Sequence, residues 1–599
     1  MAKHEVATPK KRAAKPTRLD PAVHRRLLTF LNQAVRPDDL EYERPAAIPD
    51  VGAFHEDGQD VGEREGTKLL DPAIARAIVD ARDAEAPLGF RSFDEVLEIT
   101  KLEWAQFDTL LHHLSEVFFG TWSVFPQPIP HRGPGTYDGV VHAALLHTGQ
   151  VLFITADETT LLWNPEDPTP MTFEDPVNQP HLIPDAAEGY SVLCSGHSFL
   201  SDGQFLAIGG GGYGPHAKAM WGYRFHPVDK RWARTAGSMS HHRWYPTVLT
   251  LGDKRIANSR EVLVTCGHGA GDMEIYDEAT DGFAEVTSGD AKPFPSLYPG
   301  LHLLPNHTIF YSRTGWASAG PGGGPFPGDD QSSFFALTGP ATGVWNDIAP
   351  VAPSRPDRTK GMSVMLLSTT APYVRILVAG GSDPLTNDTY EIFDATTLSQ
   401  VADWGAPMPF PDGEHRSLGS AVQLPDGDVF VCGGIQHTNS ACTSFDPETG
   451  LWSPMDALPS VRDYHSVALL LPSAQVMMAG WNNTAIEIFS PPYLFRGPRP
   501  VISSAPDLVQ HAQTFHVESP DAPSIDRVVL VRPMAVTHQT DTEQKVLELP
   551  LAHDGNPNKV RVKAPDGGHP HSLAQQGYYM LFALNAVGVP SVAHWIYLR

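Results

Sequence analysis

Hydrophobic and polar positions alternate in short bursts over most of this chain. A typical stretch runs from His142 to Ile154: an apolar segment, the turn His147-Thr148-Gly149-Gln150, and a second apolar segment. Another runs from Cys194 to Gly210, with Ser201-Asp202-Gly203 at its turn. Comparable units begin near 140, 192, 245, 297, 361, 418 and 464. Strands rather than helices are expected of short apolar runs bounded by Gly, Asp and Pro, as at Pro425-Asp426-Gly427. Self-similarity at about 50 residues is the period of propeller blades. The pattern therefore predicts a seven-bladed β-propeller over 119–495, each blade a four-stranded antiparallel sheet. The segment Gly120 to Phe125 reads as an outer strand and is expected to complete the seventh blade.

The flanks differ. Residues 1–20 carry Lys3, Lys10, Lys11, Arg12, Lys15 and Arg18 with no apolar run behind them, which predicts a basic disordered tail. Residues 21–118 have helical periodicity. Asp20 stands before Leu27, Leu28 and Leu31, and Asp71-Pro72 precedes Ile74, Ile78 and Val79. Thr67 to Leu114 weakly resembles a helix-hairpin-helix module, with Leu69-Leu70-Asp71 in place of its glycines; a docking or structural role is the expectation. Residues 496–599 alternate β-branched and polar positions, as in Arg527 to Arg532, and predict an immunoglobulin-like sandwich. The fold class is thus mainly β, with an N-terminal α-helical domain.

Composition narrows the function. The formal net charge is −26, which opposes binding to nucleic acid or an anionic membrane surface. No apolar run is long enough to span a bilayer, and none reads as an export signal, so a cytoplasmic location or a non-standard exit route is expected. Cys194, Cys266, Cys432 and Cys442 are scattered and are expected to be free thiols.

A seven-unit kelch-like repeat followed by a sandwich carrying Val536 to Gln544 and Gly577 to Phe582 resembles the galactose oxidase/glyoxal oxidase family of copper radical oxidases. The resemblance covers 119–599. It implies Cu(II) held by Tyr245, Tyr464, His465 and His538, and a thioether joining Cys194 to Tyr245. It also implies a radical on Tyr245 and a Tyr464 phenolate acting as base. The residues suit that chemistry. Imidazoles and phenolates favour Cu(II), and sulfur on a phenol ring makes it easier to oxidise. His538 is expected on a sandwich hairpin. Trp316 and Trp244 are the candidates for an indole stacked on Tyr245, while His241, His242, His415 and His437 are expected at the surface or behind the ligands. The implied reaction oxidises a primary alcohol or aldehyde, a carbohydrate among them, with dioxygen. The competing expectation is a non-catalytic propeller that binds proteins or glycans. A protein partner is the expectation for the N-terminal helices.

Overall fold

The computed structural model describes residues 72–85, 90, 93–102 and 115–599, apart from internal loops at 131–138, 181–190, 212–219, 252–259, 268–271, 289–295, 318–331, 340–341, 348–357, 371–372, 382–388, 397–403, 411–415, 435–439, 481 and 568–570. The tail and the first expected helix lie outside the described residues, as do Leu69 to Asp71. The chain forms two compact units. The described part of one lies within 61–121 and 492–498; the other takes in 122–491 and 499–599.

In the first unit, the helices Pro72–Glu85 and Phe93–Thr100 are described. Ile78, Val79 and Val96 are buried, so the apolar faces expected from the sequence are covered. Among the described residues no helix is long and apolar enough to cross a membrane.

The second unit is almost entirely β. Seven larger sheets follow one another along the described chain, the strands that open their repeats being Val140–Leu145, Gly196–Phe199, Thr247–Thr250, Leu301–Leu303, Met362–Leu367, Ser420–Gln423 and Ser466–Leu470, beside a two-stranded one that pairs Ser296–Leu297 with Trp316–Ala317. These begin within a few residues of the units counted in the sequence. Thr121–Val124 pairs on the outer edge of the last sheet, beside Glu487–Ser490. Phe125 N–H closes that pairing on the Ile486 carbonyl at 2.8 Å.

Two sheets depart from the expected four strands. The first has six, because Ala535–Thr537 and Thr540–Asp541 add to the inner edge of Val140–Leu145. That edge would otherwise be a bare row of backbone donors and acceptors. The fourth has five, with Thr287–Ser288 running parallel at its outer edge.

Apolar side chains collect between neighbouring sheets rather than in one central core. Leu152, Ile154 and Leu162 of the first meet Phe205, Phe225 and Trp232 of the second. Ile208 of the second meets Val248 and Val264 of the third. Leu249, Phe310, Phe334 and Phe393 join the third, fourth and fifth. Met362 and Leu377 of the fifth pack on Val429 and Val431 of the sixth. Phe430 of the sixth stacks on Phe489 of the seventh at 4.3 Å. The inner strands of the seventh and first lie side by side. Residues strongly apolar on both faces of a strand, such as Val151–Thr155, have a seam on each side.

After 499 the chain builds two further sheets. One orders Leu508–Val509, His594–Leu598, Gly577–Asn585, Ile525–Val531 and Val546–Leu549; the other orders Thr514–Glu518, Lys559–Lys563 and Leu551–Ala552. They share a core that includes Phe515, Val528, Leu547, Val560, Tyr579 and Ile596. Cys194, Cys266, Cys432 and Cys442 are free and buried, as expected.

Candidate metal centre

The site is assembled on one repeated backbone device. Just before the inner strand, six of the seven described sheets place a non-glycine residue in the left-handed region: Cys194, Tyr245, Tyr298, Lys360, Leu418 and His465, with φ between 44° and 69°. Such residues cost free energy and persist only where surroundings hold them. In four sheets a buried arginine does part of the holding. Arg243 donates to the Cys266 carbonyl (2.8 Å) and Glu274 (2.8 Å). Arg358 donates to Gly380 (3.0 Å) and Glu391 (2.9 Å), Arg416 to Gly433 (3.1 Å), and Arg462 to Gly480 (2.7 Å) and Glu487 (2.9 Å).

The spacing is informative. Arg243, Arg358 and Arg416 stand two residues before the left-handed position, whereas Arg462 stands three before it. The turn of the seventh sheet is therefore one residue longer. Its extra residue is Tyr464, so this turn delivers both a phenol and the His465 imidazole. The sequence reading put these groups at strand starts; they occupy the turns just before them. Gly196 belongs to the same construction, because a Cβ there would collide with the Pro246 carbonyl.

His538 arrives from the other end of the chain. Ala535–Thr537 pairs antiparallel with Val140–Leu145, setting Thr537 opposite His142. His538 and Gln539 form the two-residue tip of this hairpin, with φ of 47° and 58°. Positive φ at both tip residues is the geometry of a type I′ turn. Thr537 Oγ1 lies 2.6 Å from His538 Nδ1, which leaves Nε2 to face the site.

There the groups converge. His538 Nε2 lies 3.1 Å from Tyr245 Oη. The hydroxyls of Tyr245 and Tyr464 are in hydrogen-bond contact. Metal-binding atoms of Cys194, His465 and His538 lie within 4.8 Å of one another. Cys194 packs directly with Tyr245 and Tyr298. All five residues singled out from the sequence thus meet at one place.

Residues 499–598 match the model of the galactose oxidase-like early set domain. A glyoxal-type aldehyde oxidase of Vitis pseudoreticulata is 28% identical over 463 residues, spanning 68% of this chain and 81% of the relative. A galactose oxidase of Gibberella zeae is 30% identical over 450 residues, 68% of this chain and 61% of that protein. The chain is thus similar to aldehyde and galactose oxidases over about two thirds of its length. A fungal alcohol oxidase of the AA5 family, solved with copper, shares the fold at a TM-score of 0.63 and 21% identity. That match covers 80% of this chain and 99% of the other.

Both candidate indoles flank the Tyr245 phenol, in different ways. Trp244 stacks on Tyr245 at 4.0 Å and 24°, whereas Trp316 meets it edge-on at 5.6 Å and 71°. Trp316 also borders Tyr464, at 5.0 Å. His241 is exposed and pairs with Asp272 at 2.8 Å, away from the site. His415 and His437 lie outside the described residues.

Sequence reasoning missed Tyr298, which stacks on Tyr245 at 4.6 Å and 27° and donates to the Ser195 carbonyl at 2.9 Å. The only available signal was its place at the start of the fourth unit, equivalent to Tyr245 in the third. Also missed were His142 and His197, buried imidazoles 5.3 Å apart behind the ligands.

The electrostatics suit a metal. Burial holds the His465 imidazole down at about 4, and burial with the neighbouring His465 and His142 rings pushes His538 well below its usual value. Both rings are therefore neutral, with lone pairs free to coordinate. Burial, then Cys194 and Tyr464, push the Tyr245 phenol upward. Burial lifts the Cys194 thiol to about 12. A phenol this reluctant to ionise needs a cation beside it to lose its proton. Among the described residues, His465 Nε2 is buried with no hydrogen-bond partner, as a nitrogen suited to coordinate an ion would be. Two imidazoles and two phenols form the N/O donor set that Cu(II) favours.

Proposed function

We propose that the chain is a copper radical oxidase that oxidises a primary alcohol or aldehyde with dioxygen, giving the aldehyde or acid and hydrogen peroxide. The observation that carries this reading is the meeting of Tyr245, Tyr464, His465 and His538 beside Cys194, from separate sheets and a hairpin of the last hundred residues. The seven sheets, each packed on the next and the last on the first, support a closed seven-bladed propeller over 119–495. The sheets beyond it support an immunoglobulin-like sandwich over 496–599.

In this reading Tyr245, Tyr464, His465 and His538 hold the ion. Copper, when bound, stores one electron and offers a position for the substrate oxygen. Substrate oxidation releases two electrons, so the chain itself must store the other. Tyr245, joined by a thioether to Cys194, is that store. Sulfur on the ring lowers its oxidation potential, and stacking with Trp244 and Tyr298 spreads and shields the unpaired electron. Tyr464, as a phenolate, takes the proton of the substrate hydroxyl. An aldehyde enters as its hydrate, which supplies the same hydroxyl. Dioxygen accepts both electrons and two protons and leaves as peroxide.

The test is a peroxidase-coupled screen of the copper-loaded protein over small aldehydes, primary alcohols and sugars. Peroxide release with at least one of these classes is expected. A copper-loaded chain that releases none, and shows no thioether on a denaturing gel, defeats the reading.

A further inference from the structure

Four of the six left-handed residues donate their N–H to a backbone carbonyl earlier in the chain. Tyr298 N–H donates to the Tyr245 carbonyl at 2.8 Å, and Tyr245 N–H to the Cys194 carbonyl at 3.2 Å. Leu418 N–H donates to the Lys360 carbonyl at 2.9 Å, and Lys360 N–H to Gly315 at 2.6 Å. In three of these the acceptor is the preceding left-handed residue of the six; in the fourth it is Gly315, after the strand Thr308–Tyr311. Cys194 breaks the pattern. Its N–H donates to a side chain, the His142 Nε2, at 2.8 Å. Among the described residues, Gly139, with φ of 131°, stands just before the inner strand of the first sheet.

His142 is 1% exposed and lies on Val140–Leu145, the strand whose other contacts position His538. Thr537, its register partner, donates to the Val141 carbonyl at 3.1 Å and touches His538 Nδ1 at 2.6 Å. One strand therefore aligns the sulfur through a side chain and the imidazole ligand through a backbone pairing. Cys194 Sγ sits 3.9 Å from His538 Nε2 as a result.

We propose that His142 is the positioning residue for thioether formation, holding the Cys194 peptide so that its sulfur faces the Tyr245 ring. The inference rests on the copper oxidase reading. In the step it serves, a C–S bond forms between Cys194 Sγ and the Tyr245 ring carbon beside the hydroxyl. The S–H and C–H bonds break, and their two electrons and two protons pass to dioxygen, giving hydrogen peroxide. The imidazole itself gains and loses nothing. Its part is a lone pair on Nε2 that fixes one N–H.

The experiment follows cross-linking in the full chain. Copper-free protein is given copper in air, and the thioether is timed by gel mobility and by the mass loss of two hydrogen atoms. His142→Leu keeps the bulk and removes the acceptor, so cross-linking should slow by about 10-fold, the effect of one buried donor left unpaired. His142→Gln can place an oxygen where Nε2 stood and should restore most of the rate, with unfolding temperature checked in both. If His142→Leu does not fold, His142→Asn serves, its amide being too short to reach. Cross-linking at the wild-type rate in the Leu or Asn variant overturns the role. A Gln variant as slow as Leu also overturns it. Wild-type protein that forms no thioether at all overturns the oxidase reading, and this role falls with it.

Discussion

The turns at Tyr245 and Leu418 share a backbone and differ in purpose. Each follows a buried arginine by two residues, each holds its residue left-handed, and each precedes an inner strand. Tyr245 sits among Cys194, Tyr464 and His538. Leu418 is simply buried, and its sheet contributes none of Cys194, Tyr245, Tyr464, His465 and His538. The fold thus supplies a set of equivalent addresses, and the side chain at each decides whether chemistry happens there. The seventh turn shows how little change is needed: one added residue lets a single address present both a phenol and an imidazole.

The comparison can be broken at several points. On the proposed reading Tyr245→Phe removes a ligand and the electron store at once, and peroxide output should fall to the assay floor; retained turnover would show that this address is not the special one. Cys194→Ser should keep its copper, measured by metal analysis, yet lose most turnover, about 100-fold or more, because an unsubstituted phenol is harder to oxidise. Arg243→Leu attacks the shared scaffold. It leaves Glu274 buried and uncompensated and should cost about 3–5 kcal/mol in denaturant unfolding. Leu418→Met is the mildest test. It conserves volume, so it should cost under about 1.5 kcal/mol and leave copper content and turnover unchanged.

Much of this arrangement was legible in the sequence because the repeat fixes addresses. Arg243-Trp-Tyr245 and Arg462-Asp-Tyr464-His465 lie at unit starts, and units that start alike converge in space. The extra strands on the first sheet were not legible. Nothing local to Val140–Leu145 reveals that a hairpin some four hundred residues later will pair with it. Tyr298 escaped for a different reason: a tyrosine before Pro299 and Gly300 looks like ordinary packing until its ring is seen against Tyr245. His142 and His197 escaped because an imidazole on an inner strand reads as a core residue.

The pairing of Ala535–Thr537 with Val140–Leu145 has a consequence for biosynthesis. During translation, the whole run of sheets up to Ser490 leaves the ribosome before the hairpin that carries His538 exists. Until then the first sheet keeps a raw edge, and the phenols and thiol lack one of their imidazoles. The cluster of Tyr245, Tyr464, His465 and Cys194 is therefore joined by His538 only after the seven sheets have been synthesised.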